Sequence, residues 1–254
     1  MNKIERFIIA LVLSVVATQA HGVTFTATGV GATPSQTLKA SVVFAVSNLD
    51  LIVTLSNTGT FDPSNPADIL AAVFFDIQGD PKLTPVSAQL ETDSSIIAHP
   101  LPLGFDGDVG GEWAYRNDLT GAPDGANEGI SSANLKWFGG TKYLFPGKNL
   151  QGPKSPGGIQ FGVTSMDDLP GNDRGSIKHQ GLIQDSVQFV LFGLPDDFSL
   201  SQISDVTLQY GTSIKQPQIT GEELAIIPEP STIMLAVTGL LGALPFLRRK
   251  SARR

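Results

Sequence analysis

Leu38-Lys-Ala-Ser-Val-Val-Phe-Ala-Val46 and Leu51-Ile-Val-Thr-Leu55 are runs rich in β-branched and apolar residues, separated only by Ser47-Asn48-Leu49-Asp50. Two such runs joined by a short Asn/Asp-bearing connection read as a β-hairpin. The same rhythm extends outward. Val23 to Thr28 alternates and predicts a first strand. Ile69 to Ile77, centred on Val73-Phe74-Phe75, predicts a buried strand that could open as a short helical turn. Val86 to Leu90 and Ser95 to Ala98 continue the series, and Gln184 to Gly193 and Val206 to Tyr210 predict two late strands joined through Leu194-Pro195-Asp196-Asp197. Within the first of these late strands, Val187-Gln188-Phe189-Val190-Leu191-Phe192 carries apolar residues on both faces, the pattern of a central strand between two packed layers.

Between Pro100 and Gly175 the alternation fails except around Trp113 to Tyr115, Leu135 to Phe138 and Ile159 to Val163. Gly and Pro are dense there, which predicts long loops with short strands. The whole chain of 254 residues holds 27 Gly and 17 Pro, is 41% hydrophobic and only 16% charged, and shows no helix-period segment away from its ends. Many short strands at this spacing predict an all-β fold, a sandwich or jelly-roll-like ectodomain with long Gly/Pro-rich loops.

Both ends carry targeting signals. Lys3 and Arg6 precede the apolar run Phe7 to Val16, and Ala17-Thr-Gln-Ala20 then offers small residues at a cleavage site. Residues 1–20 are read as a signal peptide cut after Ala20, with Gly22 as the second choice. At the other end, Ser231 to Leu247 is uncharged and would span roughly 25 Å as a helix, at the short end of what crosses a bilayer. Arg248, Arg249 and Lys250 follow at once, with Arg253 and Arg254 behind them. This basic stop predicts a cytoplasmic C-terminus and places the residues before Ser231 outside, where the N-terminal signal also sends them. The organisation expected is thus a signal peptide (1–20), a β-rich exported domain (21–226) and a tail (227–254) with one C-terminal transmembrane helix over 231–247.

Residues 21 to 228 hold 22 acidic against 10 basic side chains, a net of −12 with His neutral. A domain so acidic repels nucleic acid and anionic lipid, which removes both from its expected partners. The chain has no Cys, so an exported fold must stand by burial alone, and thiol catalysis or thiolate metal binding is excluded.

Pro228-Glu229-Pro230 stands directly before the apolar tail segment. Its two prolines resist helix and keep the peptide extended, as a processing enzyme requires. With the uncharged segment and the Arg-rich terminus behind it, this tail closely resembles that of the PEP-CTERM proteins, the substrates of exosortases in exopolysaccharide-producing Gram-negative bacteria. The resemblance implies recognition by a membrane-embedded exosortase, cleavage near Pro228, Glu229 and Pro230, and transfer from an inner-membrane intermediate to the cell surface or extracellular matrix. Signal peptidase and exosortase are then the expected processing partners. Gly111-Glu-Trp-Ala-Tyr-Arg116, Phe145 to Pro153 and Val206 to Ser213 also look like blocks shared by one group of such surface proteins, a group with no assigned biochemical activity.

Other chemistry is sparse. His99 and His179 lack a G-x-S-x-G partner stretch for a Ser/His/Asp triad, and three scattered His do not make a zinc site. Asp106, Asp108 and Glu112 place three acids on one Gly-rich loop and are the candidate calcium ligands; Asp167-Asp168 with Asn172-Asp173 is a second oxygen-rich turn. No other cofactor is expected. Trp113, Tyr115 and Trp137 could stack on sugar rings or plug the core beneath the loops. The leading expectation is therefore a non-enzymatic exported surface protein. A carbohydrate-binding module for exopolysaccharide is the alternative, and a secreted glycan hydrolase using paired carboxylates is a third reading.

Overall fold

The computed structural model describes residues 22–32, 36–97, 103–136, 143–147, 150–151, 156–169 and 177–224. Their strands run β1 (Gly22–Val30), β2 (Thr37–Ser47), β3 (Asp50–Asn57), β4 (Leu70–Ile77), β5 (Thr84–Leu90), β6 (Ser95–Ile97), β7 (Ala114–Arg116), β8 (Glu128–Ser131), β9 (Val163–Thr164), β10 (Leu182–Gln184), β11 (Ser186–Phe192), β12 (Ile203–Tyr210), β13 (Gln218–Thr220) and β14 (Glu222–Glu223). Among the described residues there is no α-helix, only short 3-10 turns. The fold is all-β and sandwich-like. One sheet has the order β14-β1-β2-β3-β11-β5. The other runs β13-β12-β4-β9-β10-β6, with β8 pairing both β4 and β7.

The β2–β3 hairpin forms as the sequence predicts, with Ser47 opposite Asp50 and Asn48 at φ 58°, a conformation that Asn tolerates. Period-2 alternation then does the sorting. Val23, Phe25 and Ala27 on β1, Val42 and Phe44 on β2, and Leu51, Val53 and Leu55 on β3 all face inward. They meet Val73, Phe75 and Ile77 of β4. A line of edge-on rings crosses the interior, Phe25 to Phe44 at 5.9 Å and Phe44 to Phe75 at 5.1 Å. Such offset contacts add to the burial itself.

Four expectations are revised. Gln184 to Gly193 is not one strand, because Asp185 turns the chain at φ 82° and hands Leu182–Gln184 to one sheet and Ser186–Phe192 to the other. Of the apolar residues of β11 only Val187, Phe189 and Leu191 are buried, while Val190, like Gln188, is half-buried and Phe192 is 51% exposed. The strand buried on both faces is instead β4. Ile159 to Val163 is largely a turn, closed by the Gly162 N–H on the Ile159 carbonyl at 2.9 Å, with Phe161 at φ 58°. Gly162 is needed there, since a Cβ would stand 2.6 Å from the Ile69 side chain. Lys136 makes only isolated bridges, to Tyr143 and Ser213, Leu135 joins no strand, and Trp137 and Phe138 lie outside the described residues.

The double burial of β4 follows from the Gly/Pro-rich middle of the chain. Leu119, Ala122, Ala126, Leu135, Leu144 and Phe145 pack with Ala72 and Phe74 in a second core. Phe145 lies 6.2 Å from Phe74, ring to ring. Irregular backbone thus covers a sheet face that would otherwise be wet. Arg116 helps to hold it, donating to the Leu144 carbonyl at 2.9 Å and pairing with Asp118 at 2.6 Å.

Candidate functional site

Ala20, Pro228, Glu229, Pro230, segment 231–247, Arg248, Arg249 and Lys250 lie outside the described residues, as do His99 and Trp137. Among the described residues no helix is long and apolar enough to cross a membrane.

The acidic loop folds as successive Asx turns. Asp106 Oδ1 accepts from the Asp108 N–H at 3.2 Å, and Asp108 Oδ1 from the Gly110 N–H at 2.9 Å. The second Asp108 oxygen accepts from the Gln151 amide, and Asp108 bridges to Gln89 of β5. Glu112 follows on the next turn, its N–H bonded to the Val109 carbonyl at 3.0 Å. These hydrogen bonds shape the loop that carries Asp106, Asp108 and Glu112. Among the described residues no three His, Cys, Asp or Glu side chains are gathered as a metal-holding group. In the second oxygen-rich turn, Asp168 is buried and accepts from the Thr164 hydroxyl at 2.7 Å.

The aromatics divide. Trp113 is fully buried and packs edge-on against Phe189 at 4.9 Å, so its indole has no surface to offer a sugar ring. Tyr115 is half-buried, with its hydroxyl donating to Glu128 Oε2 at 2.7 Å.

That last bond opens the most unusual electrostatic arrangement in the fold. The β7–β8 ladder sets Tyr115 opposite Ile130, so Glu128 lies one diagonal step away on the same face. Glu128 is 1% exposed, and its other oxygen has no hydrogen-bond partner. Burial pushes its carboxyl from 4.5 up to about 7; the Tyr115 bond and Lys82 oppose this, and the charges of Asp80 and Asp76 add to it. Burial and the neighbouring Glu128 in turn raise the Tyr115 phenol. Asn127 ties the acids together, giving its N–H to Asp76 at 2.7 Å and its side-chain amide to Asp80.

An acid poised near neutrality beside two further acids is what proton-transfer sites use. Here a groove of about 430 Å³ is lined by Asp76, Asp80, Ser201, Gln202 and their neighbours, but Glu128 is not on its wall. The arrangement therefore makes Glu128 an internal, pH-responsive acid, with Asp76 and Asp80 facing the groove. Sequence reading missed Glu128 because Asn127-Glu128-Gly129-Ile130 shows no strand pattern, and only the ladder brings it to Tyr115. No protein-family model, no curated protein and no solved structure matches the chain.

Proposed function

We propose that this chain is a non-enzymatic exported protein, sorted by exosortase to the cell surface or exopolysaccharide matrix through Pro228-Glu229-Pro230. Signal peptidase and exosortase are its processing partners, with one helix over 231–247 holding an inner-membrane intermediate. The observation that supports this reading most is that the first and last described strands pair with each other. β1 covers Gly22–Val30 and β14 covers Glu222–Glu223. The antiparallel register places Phe25 opposite Glu223 and Thr26 opposite Glu222, so the first and last strands lie side by side at one sheet edge. Burial of Trp113 also takes the central aromatic away from the carbohydrate-binding alternative.

Replacing Pro228, Glu229 and Pro230 together by Ala is expected to leave full-length protein in the inner membrane, read by fractionation and immunoblot. Surface delivery at the wild-type level in that variant would contradict the sorting role.

A further inference from the structure

An amine, a carboxamide and a buried acid meet beside the β7–β8 pair. Lys82 is exposed in the connection from β4 to β5, which carries the chain from one sheet to the other. The turn before it is closed by the Asp80 N–H on the Ile77 carbonyl at 3.0 Å. The Lys82 Nζ donates to the backbone carbonyl of Asn117, just past β7, at 3.4 Å. The amine therefore already rests on a residue whose side chain is a carboxamide. That carboxamide bonds the Tyr115 hydroxyl, and the same hydroxyl donates to Glu128 Oε2 at 2.7 Å. Glu128 is buried with Oε1 unpartnered, and the charge of Lys82 acts on its carboxyl. The other acids that act on it, Asp76 and Asp80, both accept from Asn127.

These are the parts of a self-made amide bond. We propose that the side chains of Lys82 and Asn117 join in an intramolecular isopeptide bond, with Glu128 carrying the protons. The ionised Glu128 carboxylate takes a proton from the Lys82 ammonium, and the neutral Nζ attacks Cγ of Asn117. Glu128 gives that proton to Nδ2, which departs as ammonia, and receives the second Nζ proton in its place. One C–N bond forms and one breaks, with no change of oxidation state and no co-reactant. The Tyr115 phenol, bonded to both side chains, holds the acid against the carboxamide. Water solvates the exposed amine, so the bond accumulates over long incubation and newly made chains are open. Once made, it pins the crossing between the sheets to the β7–β8 pair, a covalent tie in a chain that has no disulfide.

The test holds the full-length chain for days at pH 8 in mild detergent, then takes its intact mass and digests it. The wild type is expected to lose one ammonia and to yield a branched peptide joining Lys82 to Asn117. Lys82→Arg is expected to yield no branched peptide. Glu128→Gln is expected to slow its formation by about 100-fold or more, the usual scale for a positioned proton carrier. A wild type without the branched peptide would overturn the assignment even where ammonia is lost, since that loss is then cyclisation of an asparagine. Formation at the wild-type rate in Glu128→Gln would overturn it equally. Should Glu128→Gln fail to fold, Tyr115→Phe, which frees the Asn117 and Glu128 side chains from each other, is expected to slow formation by about tenfold or more, and an unchanged rate would count against the assignment in the same way.

Discussion

Truncating Phe189 to Ala is expected to destabilise the folded domain by about 3–5 kcal/mol, the usual range for removing a buried aromatic ring. Phe189 has no exposed surface, lies opposite Val53 on β3 and Ala88 on β5, and takes the edge of Trp113 at 4.9 Å. The cavity left behind would be walled by paired backbone on both sides, so little collapse can fill it. Phe192, three residues on, is 51% exposed on the outer face of the same strand. Phe192→Ala should therefore shift stability by no more than about 0.5–1 kcal/mol. Denaturant melts of the two variants beside wild type check both statements. Equal effects at the two positions would mean that β11 is turned the wrong way. Against a total stability of roughly 5–15 kcal/mol, the Phe189 change is large.

The second large effect is electrostatic and depends on pH. Glu128 titrates at about 7 in the fold and near 4.5 when exposed to water. Below 4.5 it is protonated in both states and imposes no penalty. Between 4.5 and about 7 the unfolded chain gives up the proton while the fold keeps it, so stability falls as pH rises. Above 7 the penalty is complete. At about 1.4 kcal/mol per tenfold in acidity it amounts to roughly 3 kcal/mol. Glu128→Gln removes the ionisation and still offers an oxygen to the Tyr115 hydroxyl. The variant should match wild type at pH 4 and be more stable by roughly 2–3 kcal/mol at pH 8. Melts across that pH range check it. A difference between the two proteins that does not grow with pH would show that Glu128 is not held as a buried acid.

How far the fold could be read in advance varied along the chain, for physical reasons. The hairpin of β2 and β3 and the first strand announce themselves because each buries one face, and side-chain alternation records that directly. The strand over Val187 to Phe192 was legible in position and in the inward direction of Phe189. Its outer face was not, because Val190 and Phe192 are as apolar as core residues yet lie towards water. The split at Asp185 left no trace, since a single positive φ moves the chain between sheets without changing the apolar pattern. The second core was hidden for a different reason. Leu119, Leu144 and Phe145 come from irregular segments, where burial has no period to reveal it. The sites show the same limit. Asp106, Asp108 and Glu112 stand out as a cluster in sequence, whereas Tyr115 and Glu128 become neighbours only through strand pairing.

The central claim is that the chain is exported and then processed at its tail, and intact mass decides it most directly. Protein would be recovered from the surface of cells that have their exosortase and from the inner membrane of cells that lack it. With the enzyme present, the surface form is predicted to begin at His21 and to end near Pro228-Glu229-Pro230, without the segment from Ser231 to Arg254. Without the enzyme, the membrane form is predicted to begin at His21 and to keep Arg254. Surface protein that retains Arg254 in both strains would contradict the account.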